Sequence, residues 1–399
     1  MSHAPVYLDH AATTPLSEAA KAAMIEHLGL VGNPSSLHGP GRTAHRLVEE
    51  ARERLAAAMG VHASELLFTS GGTESDNLAL KGTYWARRRL NPAANGILLT
   101  GAEHHAVLDT VQWLVEHEGA TAHVAPLTAD GLLDQAAWEA TLADHGATLA
   151  VSTLMWANNE VGTVQDVPWA AARSLAAGVP LHSDAVQALG HVPIDLGTAG
   201  LASAAVSAHK IGGPVGIGAL ILRRDQKPVP LQHGGGHERS LRSGTLNVVG
   251  ALAFAAAAEA ALAGLEAEAA RVRALRDVLV SGVLAGVEGA LLSGPADAER
   301  RLPGTAHFTF PGAEGDTILF MLDMAGIASS TGSACTAGVA GPSHVLMSMG
   351  ASEADARCVQ RFSLGASSTP GDVDALLAAL PGAVAAARAA GPAAGRRDR

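Results

Sequence analysis

A lysine at the end of an apolar run stands where a nucleophilic amine could work. Residues 203–208 read Ser-Ala-Ala-Val-Ser-Ala, which predicts a buried strand, and His209 and Lys210 follow before a glycine-rich turn. Desolvation disfavours the charged form of an amine, so Lys210 among small, apolar neighbours suits the neutral nucleophile of a Schiff base. Taken alone, a single lysine of this kind is more often an exposed loop residue.

A glycine-containing turn could bind a phosphate group. Residues 69–77, Thr-Ser-Gly-Gly-Thr-Glu-Ser-Asp-Asn, follow one predicted strand and open a predicted helix. Unpaired backbone N–H groups and the helix dipole favour an anion at such a junction, and glycines let it approach closely. An ordinary helix start, capped by Thr or Ser, is the alternative.

An acidic residue follows another short apolar run. Residues 179–181 are Val-Pro-Leu, and His182, Ser183 and Asp184 come directly after them. A carboxylate at a strand end can pair with a protonated ring nitrogen of a heterocycle and keep that ring positively charged. A turn-forming Asp is the alternative.

The elements that must position these residues are alternating strands and helices. Residues 42–59 place apolar side chains on one helical face, and apolar runs at 65–69, 97–99, 149–152, 204–207 and 219–222 predict strands. This alternation predicts a parallel sheet covered by helices. Residues 251–285, rich in Ala, Leu, Glu and Arg, predict a long helix that leads into a second domain.

The candidate residues occur in an order that fits one pocket. After the phosphate turn come Glu103-His104-His105, then Asn158-Asn159-Glu160, then Asp184 and Lys210, each at a predicted strand end. Open α/β sheets bind ligands outside the carboxyl ends of their strands. A phosphate clamp, a ring for stacking, a partner for a ring nitrogen and an amine together fit pyridoxal phosphate.

Composition narrows the class of protein. The 399 residues suggest two or three domains, and 48% hydrophobic residues indicate a folded chain. A net charge of −11 argues against direct nucleic-acid binding. Two cysteines, Cys335 and Cys358, predict a reducing, cytoplasmic location. We expect no signal peptide, no membrane span and no metal site.

Eleven segments, in order, resemble the cysteine desulfurases of the class V aminotransferase superfamily. The resemblance runs from residue 6 to about 370 and is carried by residues 7–15, 32–36, 69–77, 103–104, 158–162, 184–187, 207–210, 233–239, 242–245, 330–335 and 361–365. It implies an α/β fold of the pyridoxal-phosphate-dependent transferase type (fold type I). The large domain would hold a mostly parallel, seven-stranded sheet, and the smaller domain would be α+β.

The same resemblance implies a division of the chain. Residues 16–252 would form the large, cofactor-binding domain, and residues 1–15 and 253–390 the small domain. Residues 391–399 lack apolar periodicity, which predicts a flexible tail.

The resemblance also assigns cofactor-binding roles. Lys210 would form the Schiff base and move protons, His104 would stack on the ring and act in acid-base transfer, and Asp184 would pair with the ring nitrogen. Gln187 and Asn159 would bind the phenolic oxygen or the substrate carboxylate. The phosphate would be held by Gly72, Thr73, Ser207, His209 and, from the partner subunit of a homodimer, Thr245.

Two further residues would act on the substrate, L-cysteine. Arg361 would bind its carboxylate, and Cys335 would take its sulfur as a persulfide while alanine is released. Small residues and glycines surround Cys335, a composition typical of a mobile loop, whereas Cys358 is predicted to be structural. The 330–335 segment is similar to the long-loop group, whose acceptors are iron-sulfur scaffolds or tRNA-thiolation proteins.

Other functions keep part of this assignment. An aminotransferase or a selenocysteine lyase would need Lys210 but would tolerate loss of Cys335. A pyridoxal-phosphate-binding scaffold without turnover is the third alternative. His105 also departs from the family, because close relatives often have Lys there.

Overall fold

Twelve strands form in the described part of the chain. The computed structural model describes residues 5–332 and 341–391. Its strands are β1 Val6–Tyr7, β2 Leu66–Thr69, β3 Gly96–Thr100, β4 Thr121–Ala125, β5 Leu149–Thr153, β6 Leu181–Asp184, β7 Ser203–Ser207, β8 Gly218–Leu222, β9 Leu291–Leu292, β10 Thr305–Thr309, β11 Ile327–Ala328 and β12 Val359–Ser363.

Helices connect most of these strands. Within the same described ranges they are α1 Glu18–His27, α2 Gly39–Ala58, α3 Gly72–Leu90, α4 His105–Glu118, α5 Gln135–His145, α6 Val167–Ala176, α7 Val248–Ala263, α8 Leu265–Gly286, α9 Gly315–Met324, α10 His344–Ser348, α11 Glu353–Arg357 and α12 Pro370–Ala390. The helix predicted at residues 42–59 is confirmed as α2, which buries Ala44, Val48, Ala51 and Leu55 along one stripe.

The main sheet has the predicted, mostly parallel topology. Seven described strands lie in the order β2-β8-β7-β6-β5-β3-β4, and β8 runs antiparallel to both of its neighbours. The other pairs are parallel. The α/β fold class predicted from the sequence is confirmed. The carboxyl ends of β3, β5, β6 and β7 therefore share one edge of the sheet.

Helices cover both faces of this sheet, which is why its strands are apolar runs without alternation. Leu98 packs in a core cluster with residues of α2, α6 and α7, whereas its neighbours Ile97 and Leu99 pack on the other face with residues of α3 and α4. The alternating side chains of a strand thus supply two cores.

A second core lies around a small antiparallel sheet. In the described residues this sheet has the order β12-β10-β9, while β1 pairs in parallel with β11. Phe308 and Phe362 are fully buried against side chains of α8, α9 and α12. Helix α12 is long and apolar enough to cross a membrane, but its Leu376, Leu380 and Val384 are buried in this core.

The single long helix predicted at residues 251–285 is wrong. The chain forms two helices, α7 and α8, which meet at Gly264 with a bend of 71°. Gly264 has non-helical backbone angles (φ −98°, ψ 3°), and glycine has a low helix propensity. Helix α7 packs in the first core and helix α8 in the second. We therefore propose that the chain passes from the large domain to the small domain at Gly264.

A buried ion pair fixes the segment that follows β8. Arg52 of α2 donates to both carboxylate oxygens of Glu238 at 2.8 and 2.6 Å, and the Phe68 backbone N–H donates to the same carboxylate at 2.6 Å. Glu238, Arg239 and Ser240 all have positive φ angles (45°, 59° and 61°), which L-residues rarely adopt. The ion pair therefore holds a strained turn in place.

We predict that Glu238→Gln lowers the free energy of unfolding by about 3 kcal/mol, because the buried Arg52 charge loses its buried partner and keeps only the more exposed Glu49. Chemical denaturation monitored by circular dichroism measures the change. Glu259→Gln is the matched control: its ion pair with Arg54 is more than 40% exposed on both sides, so the loss should stay below about 1 kcal/mol. Equal losses in the two variants would contradict the assignment.

Candidate active site

The N-terminal segment runs between the two cores and carries backbone acceptors to the site. Leu8 is buried in the second core, and Asp9 bridges to Ser363 at the end of β12. Three residues later, the Ala11 and Ala12 carbonyl oxygens accept hydrogen bonds from Lys210 Nζ at 2.6 and 2.8 Å. Gln187 Nε2 also donates to the Ala11 carbonyl, at 2.8 Å.

Lys210 is positioned by a short 3₁₀ turn at the end of β7. The turn comprises Ala208–Lys210, and the His191 ring Nε2 donates to the Lys210 carbonyl at 3.1 Å. The Thr14 backbone N–H donates to the His209 carbonyl at 3.1 Å, which ties the turn to the N-terminal segment. Hydrogen bonds to the carbonyl oxygens of His209 and Lys210 therefore fix the backbone from which the Lys210 amine extends.

Asp184, His104 and Lys210 come together at the carboxyl edge of the sheet. Asp184 ends β6, is 3% exposed and accepts from the Val186 N–H at 2.9 Å. Burial raises the pKa of Asp184, and electrostatic interactions with His104 and Lys210 oppose that rise. These three residues, predicted separately, thus interact electrostatically.

His104 is a neutral imidazole at the start of α4. Its Nδ1 accepts from the Ala106 N–H at 3.1 Å, so the ring caps the helix. Burial lowers the pKa of His104, and Lys210, His105 and His344 lower it further against the opposing effect of Asp184. A neutral ring beside Asp184 can stack on an aromatic ligand and accept a proton.

The phosphate turn predicted at residues 69–77 lies between β2 and α3. Gly71 caps α3 without a side-chain hydrogen bond to the first turn. A Cβ added to Gly72 would come within 2.7 Å of Val186 Cγ2, and one added to Gly71 would lie 3.9 Å from Ser207 Oγ. The turn therefore lies beside the end of β7, with Thr73 exposed on it.

His209 and Thr245, both predicted to bind the phosphate, differ in exposure: burial affects His209, whereas Thr245 is exposed. His209 Nδ1 lies 3.2 Å from Thr13 Oγ1, and burial with the Lys210 charge lowers the pKa of His209 to about 4. Thr245 is exposed on a loop that Arg242 ties to Glu74 of α3, at 2.9 Å. Glu74 also accepts from the Ser70 N–H at 2.7 Å, so the loop is anchored to the phosphate turn.

Arg361 on β12 contacts Asp9 of the N-terminal segment and the backbone of Asn159. The residue is 3% exposed; its Nη1 donates to the Asn159 carbonyl at 2.8 Å, and its Nη2 donates to Asp9 Oδ1 at 2.7 Å. Its Nε has no hydrogen-bond partner among the described residues. The structure thus links Asn159 and Arg361, which were predicted as substrate-binding residues, through a main-chain carbonyl.

The structure describes one of the two cysteines, Cys358. Cys335, the predicted sulfur-accepting residue, lies outside the described residues. Cys358 has a free thiol and is 8% exposed, and burial raises its pKa, which is typical of an unreactive thiol.

Sequence reasoning missed Asp9 and the carbonyl groups of Ala11 and Ala12 as site components. All three lie in the 7–15 motif that carried the resemblance, so the motif was a signal. Every residue has a backbone carbonyl, however, so residue type does not reveal which carbonyls bind a side chain. Asp9 is part of the site because it binds Arg361, which is distant in the sequence.

Comparisons with known proteins identify the family of this chain. The aminotransferase class-V family profile matches residues 6–376. An IscS-like cysteine desulfurase of Mycobacterium tuberculosis is 54% identical over 98% of this chain and 100% of its own length. The chain belongs to the cysteine desulfurases of this family. The cysteine desulfurase NifS of Azotobacter vinelandii is 40% identical over 98% of this chain and 95% of its own.

Solved structures show the same relationship. A NifS-like protein superimposes with a TM-score of 0.87 at 34% identity, over 96% of this chain and 99% of the other. A second, from Rickettsia africae, gives a TM-score of 0.84 at 30% identity, over 95% and 99% of the two chains. The family resemblance and the fold type inferred from the sequence are both confirmed.

Cysteine desulfurases of this family depend on pyridoxal phosphate, and the residues present fit that group. The turn at Gly71 and Gly72 leaves no room for a Cβ at Gly72 and offers the N-terminus of α3 to an anion. Asp184 is a buried carboxyl group suited to a ring nitrogen, and Lys210 supplies the amine. The site therefore contains residues suited to the phosphate, to the ring nitrogen and to covalent attachment of the cofactor.

We predict that Gly72→Ala weakens cofactor binding about tenfold, because its Cβ would overlap the Val186 side chain and overpacking costs about 1 to 3 kcal/mol. Titration of the cofactor-free protein, followed by visible absorbance, gives the dissociation constant. The double variant Gly72→Ala/Val186→Ala restores the space and should recover most of the affinity. Normal affinity in the single variant would show that the turn does not approach the cofactor.

Proposed function

We propose that this cysteine desulfurase converts L-cysteine into L-alanine and retains the sulfur as a persulfide on Cys335. The observation that carries the proposal is that Lys210 and Arg361 both bind the N-terminal segment, while Asp184 and His104 lie close enough to interact electrostatically, in a chain of this family. Lys210 and Arg361 come from different cores, and the amino and carboxylate groups of an α-amino acid would be bound between them.

Pyridoxal phosphate would be held by residues from four strand ends. Lys210 would bind it covalently, Asp184 would pair with its ring nitrogen, His104 would stack on the ring and Gln187 would reach its phenolic oxygen. Its phosphate would be bound by Gly72, Thr73, Ser207 and His209. When bound, this cofactor supplies an electron sink for the bonds at the substrate α-carbon.

Lys210 moves the proton at the substrate α-carbon. Its amine lies against two carbonyl oxygens, those of Ala11 and Ala12, at hydrogen-bond distance. Carbonyl oxygens accept hydrogen bonds, so they can bind both N–H groups of the neutral amine and leave its lone pair to take the proton from the substrate. The 3₁₀ turn fixes the Lys210 backbone from which this amine extends.

Arg361 orients the substrate through its carboxylate. A guanidinium group binds a carboxylate through two parallel hydrogen bonds, which fixes a plane as well as a position. Asp9 and the Asn159 carbonyl already hold the two Nη atoms, so the arginine is oriented before the substrate arrives. Asn159 is proposed to assist in binding the carboxylate or the phenolic oxygen.

Cys335 takes the sulfur atom. Its thiolate attacks the substrate Sγ, the S–S bond forms, and the Cβ–Sγ bond breaks with its electron pair left on the carbon fragment. That fragment takes up one proton to give alanine. The new C–H bond therefore accounts for the proton that the Cys335 thiol loses when it becomes a thiolate. The outer sulfur of the persulfide is then available to an acceptor.

Partners and location follow from the same assignment. We propose a homodimer in which Thr245 of one subunit reaches the phosphate of the other, consistent with its exposure. The acceptor is proposed to be an iron-sulfur scaffold or a tRNA-thiolation protein. The two-cysteine composition fits a cytoplasmic location, where thiols stay reduced.

The purified protein is expected to release alanine and sulfide in equal amounts from L-cysteine when a reductant is present. In Cys335→Ala, both products should be lost while the visible cofactor band remains, because the cofactor does not need this thiol. Cys358→Ala is the matched control and should retain both products, since Cys358 is buried. Alanine formation in Cys335→Ala would favour a lyase or aminotransferase. A cofactor band with no turnover in the wild type would indicate a binding scaffold.

Asp9→Asn is expected to raise KM for L-cysteine about tenfold with little change in kcat, because it loosens Arg361 without touching the reacting atoms. Steady-state kinetics separate the two constants. Arg361→Lys should raise KM further, since an ammonium group cannot form the bidentate pair. A fall in kcat at unchanged KM in Asp9→Asn would contradict this role.

A further inference from the structure

Three carboxyl groups are buried together behind the cofactor site. Asp76 of α3, Glu103 before α4 and Asp184 of β6 are 1%, 0% and 3% exposed. Asp76 Oδ1 lies 3.0 Å from His182 Nε2, and His182 Nδ1 lies 2.9 Å from Ser203 Oγ. Burial raises the pKa of Asp76 well above its ordinary value, and Asp184 and Glu103 add to that shift.

Glu103 is partnered on one oxygen only. Its Oε1 accepts from the Met155 N–H at 3.0 Å and from Thr100 Oγ1 at 3.2 Å. Its Oε2 is buried without a hydrogen-bond partner among the described residues. An ionised carboxylate with one unsolvated oxygen costs more free energy than a neutral acid whose carbonyl oxygen is satisfied and whose hydroxyl lacks an acceptor.

The groups around Glu103 also disfavour a negative charge there. Asp184 on β6 and Asp76 on α3 are acids, while His104, the next residue, is a largely neutral imidazole. His344 of α10 donates from Nε2 to the Glu103 carbonyl at 3.0 Å and so touches the backbone of Glu103. Burial raises the pKa of Glu103 to about 8; Asp184 adds to this effect, and the Met155 and Thr100 donors oppose it.

We propose that Glu103 is a positioning residue that stays a neutral carboxylic acid in the working enzyme, so that Asp184 keeps the negative charge that would pair with the cofactor's ring nitrogen. This inference rests on the proposed function. Two neighbouring buried carboxyls do not both ionise readily. If Glu103 were charged, Asp184 would tend to take up a proton and lose its pairing with the ring nitrogen.

The arrangement predicts an upper pH limit for activity. As pH rises through the pKa of Glu103, a second negative charge forms next to Asp184 and the two carboxylates compete for stabilisation. Activity should therefore fall on the alkaline side. In Glu103→Gln the neutral amide cannot ionise, so that alkaline limb should move to higher pH.

Infrared spectroscopy of the full-length holoenzyme measures the protonation state directly. We expect the wild type to show, at pH 7, a carbonyl stretch of a neutral carboxylic acid that is absent in Glu103→Gln and that disappears as pH rises through about 8. No such band in the difference spectrum would overturn the proposal. Identical alkaline limbs of kcat/KM in the wild type and Glu103→Gln would also contradict it.

A second variant keeps the test valid if Glu103→Gln does not fold. Thr100→Val removes the hydroxyl that donates to Glu103 Oε1 but keeps the acid. Its carboxylic acid band should shift to higher frequency, because the carbonyl oxygen loses a hydrogen bond. An unshifted band would show that the signal does not belong to Glu103. The band does not depend on turnover, so an enzyme inactive on cysteine that still shows it would refute the proposed function and not the protonation state.

Discussion

The hydrogen bonds between the Lys210 amine and the Ala11 and Ala12 carbonyls are the contact on which the site depends. The segment that carries these carbonyls leaves the second core at Leu8, while Lys210 ends a strand of the first core. Asp9, in the same segment, holds Arg361. One stretch of backbone therefore sets the distance between the amine and the guanidinium group, between which we propose that one small amino acid binds.

Burial of polar groups is the second constraint, because it changes the pKa values of titratable groups in the site. Removal from water raises the pKa of Asp184 and lowers that of His104, so neither group has its ordinary proton affinity. Such groups cost free energy, which the two apolar cores offset. The strained turn at Glu238–Ser240 is stabilised in the same way, by an ion pair buried against Phe68.

Much of this arrangement could be predicted from the sequence, because buried parallel strands are apolar runs. The runs at 97–99, 149–152 and 204–207 correspond to β3, β5 and β7. Strand β4 has no such signal, since it lies at the sheet edge with exposed side chains. The break at Gly264 was missed because helix propensity does not report which core a helix packs against. Asp9 and Glu103 act through tertiary contacts that residue spacing does not reveal.

We propose that sulfur passes from L-cysteine to Cys335 in a site built by both cores. The most direct measurement is mass spectrometry of the protein after one turnover with L-cysteine and no reductant, followed by peptide mapping. The account predicts one added sulfur atom on the peptide that contains Cys335, with one alanine released per modified chain. Alanine release without added sulfur on that peptide, or added sulfur on Cys358 instead, would contradict it.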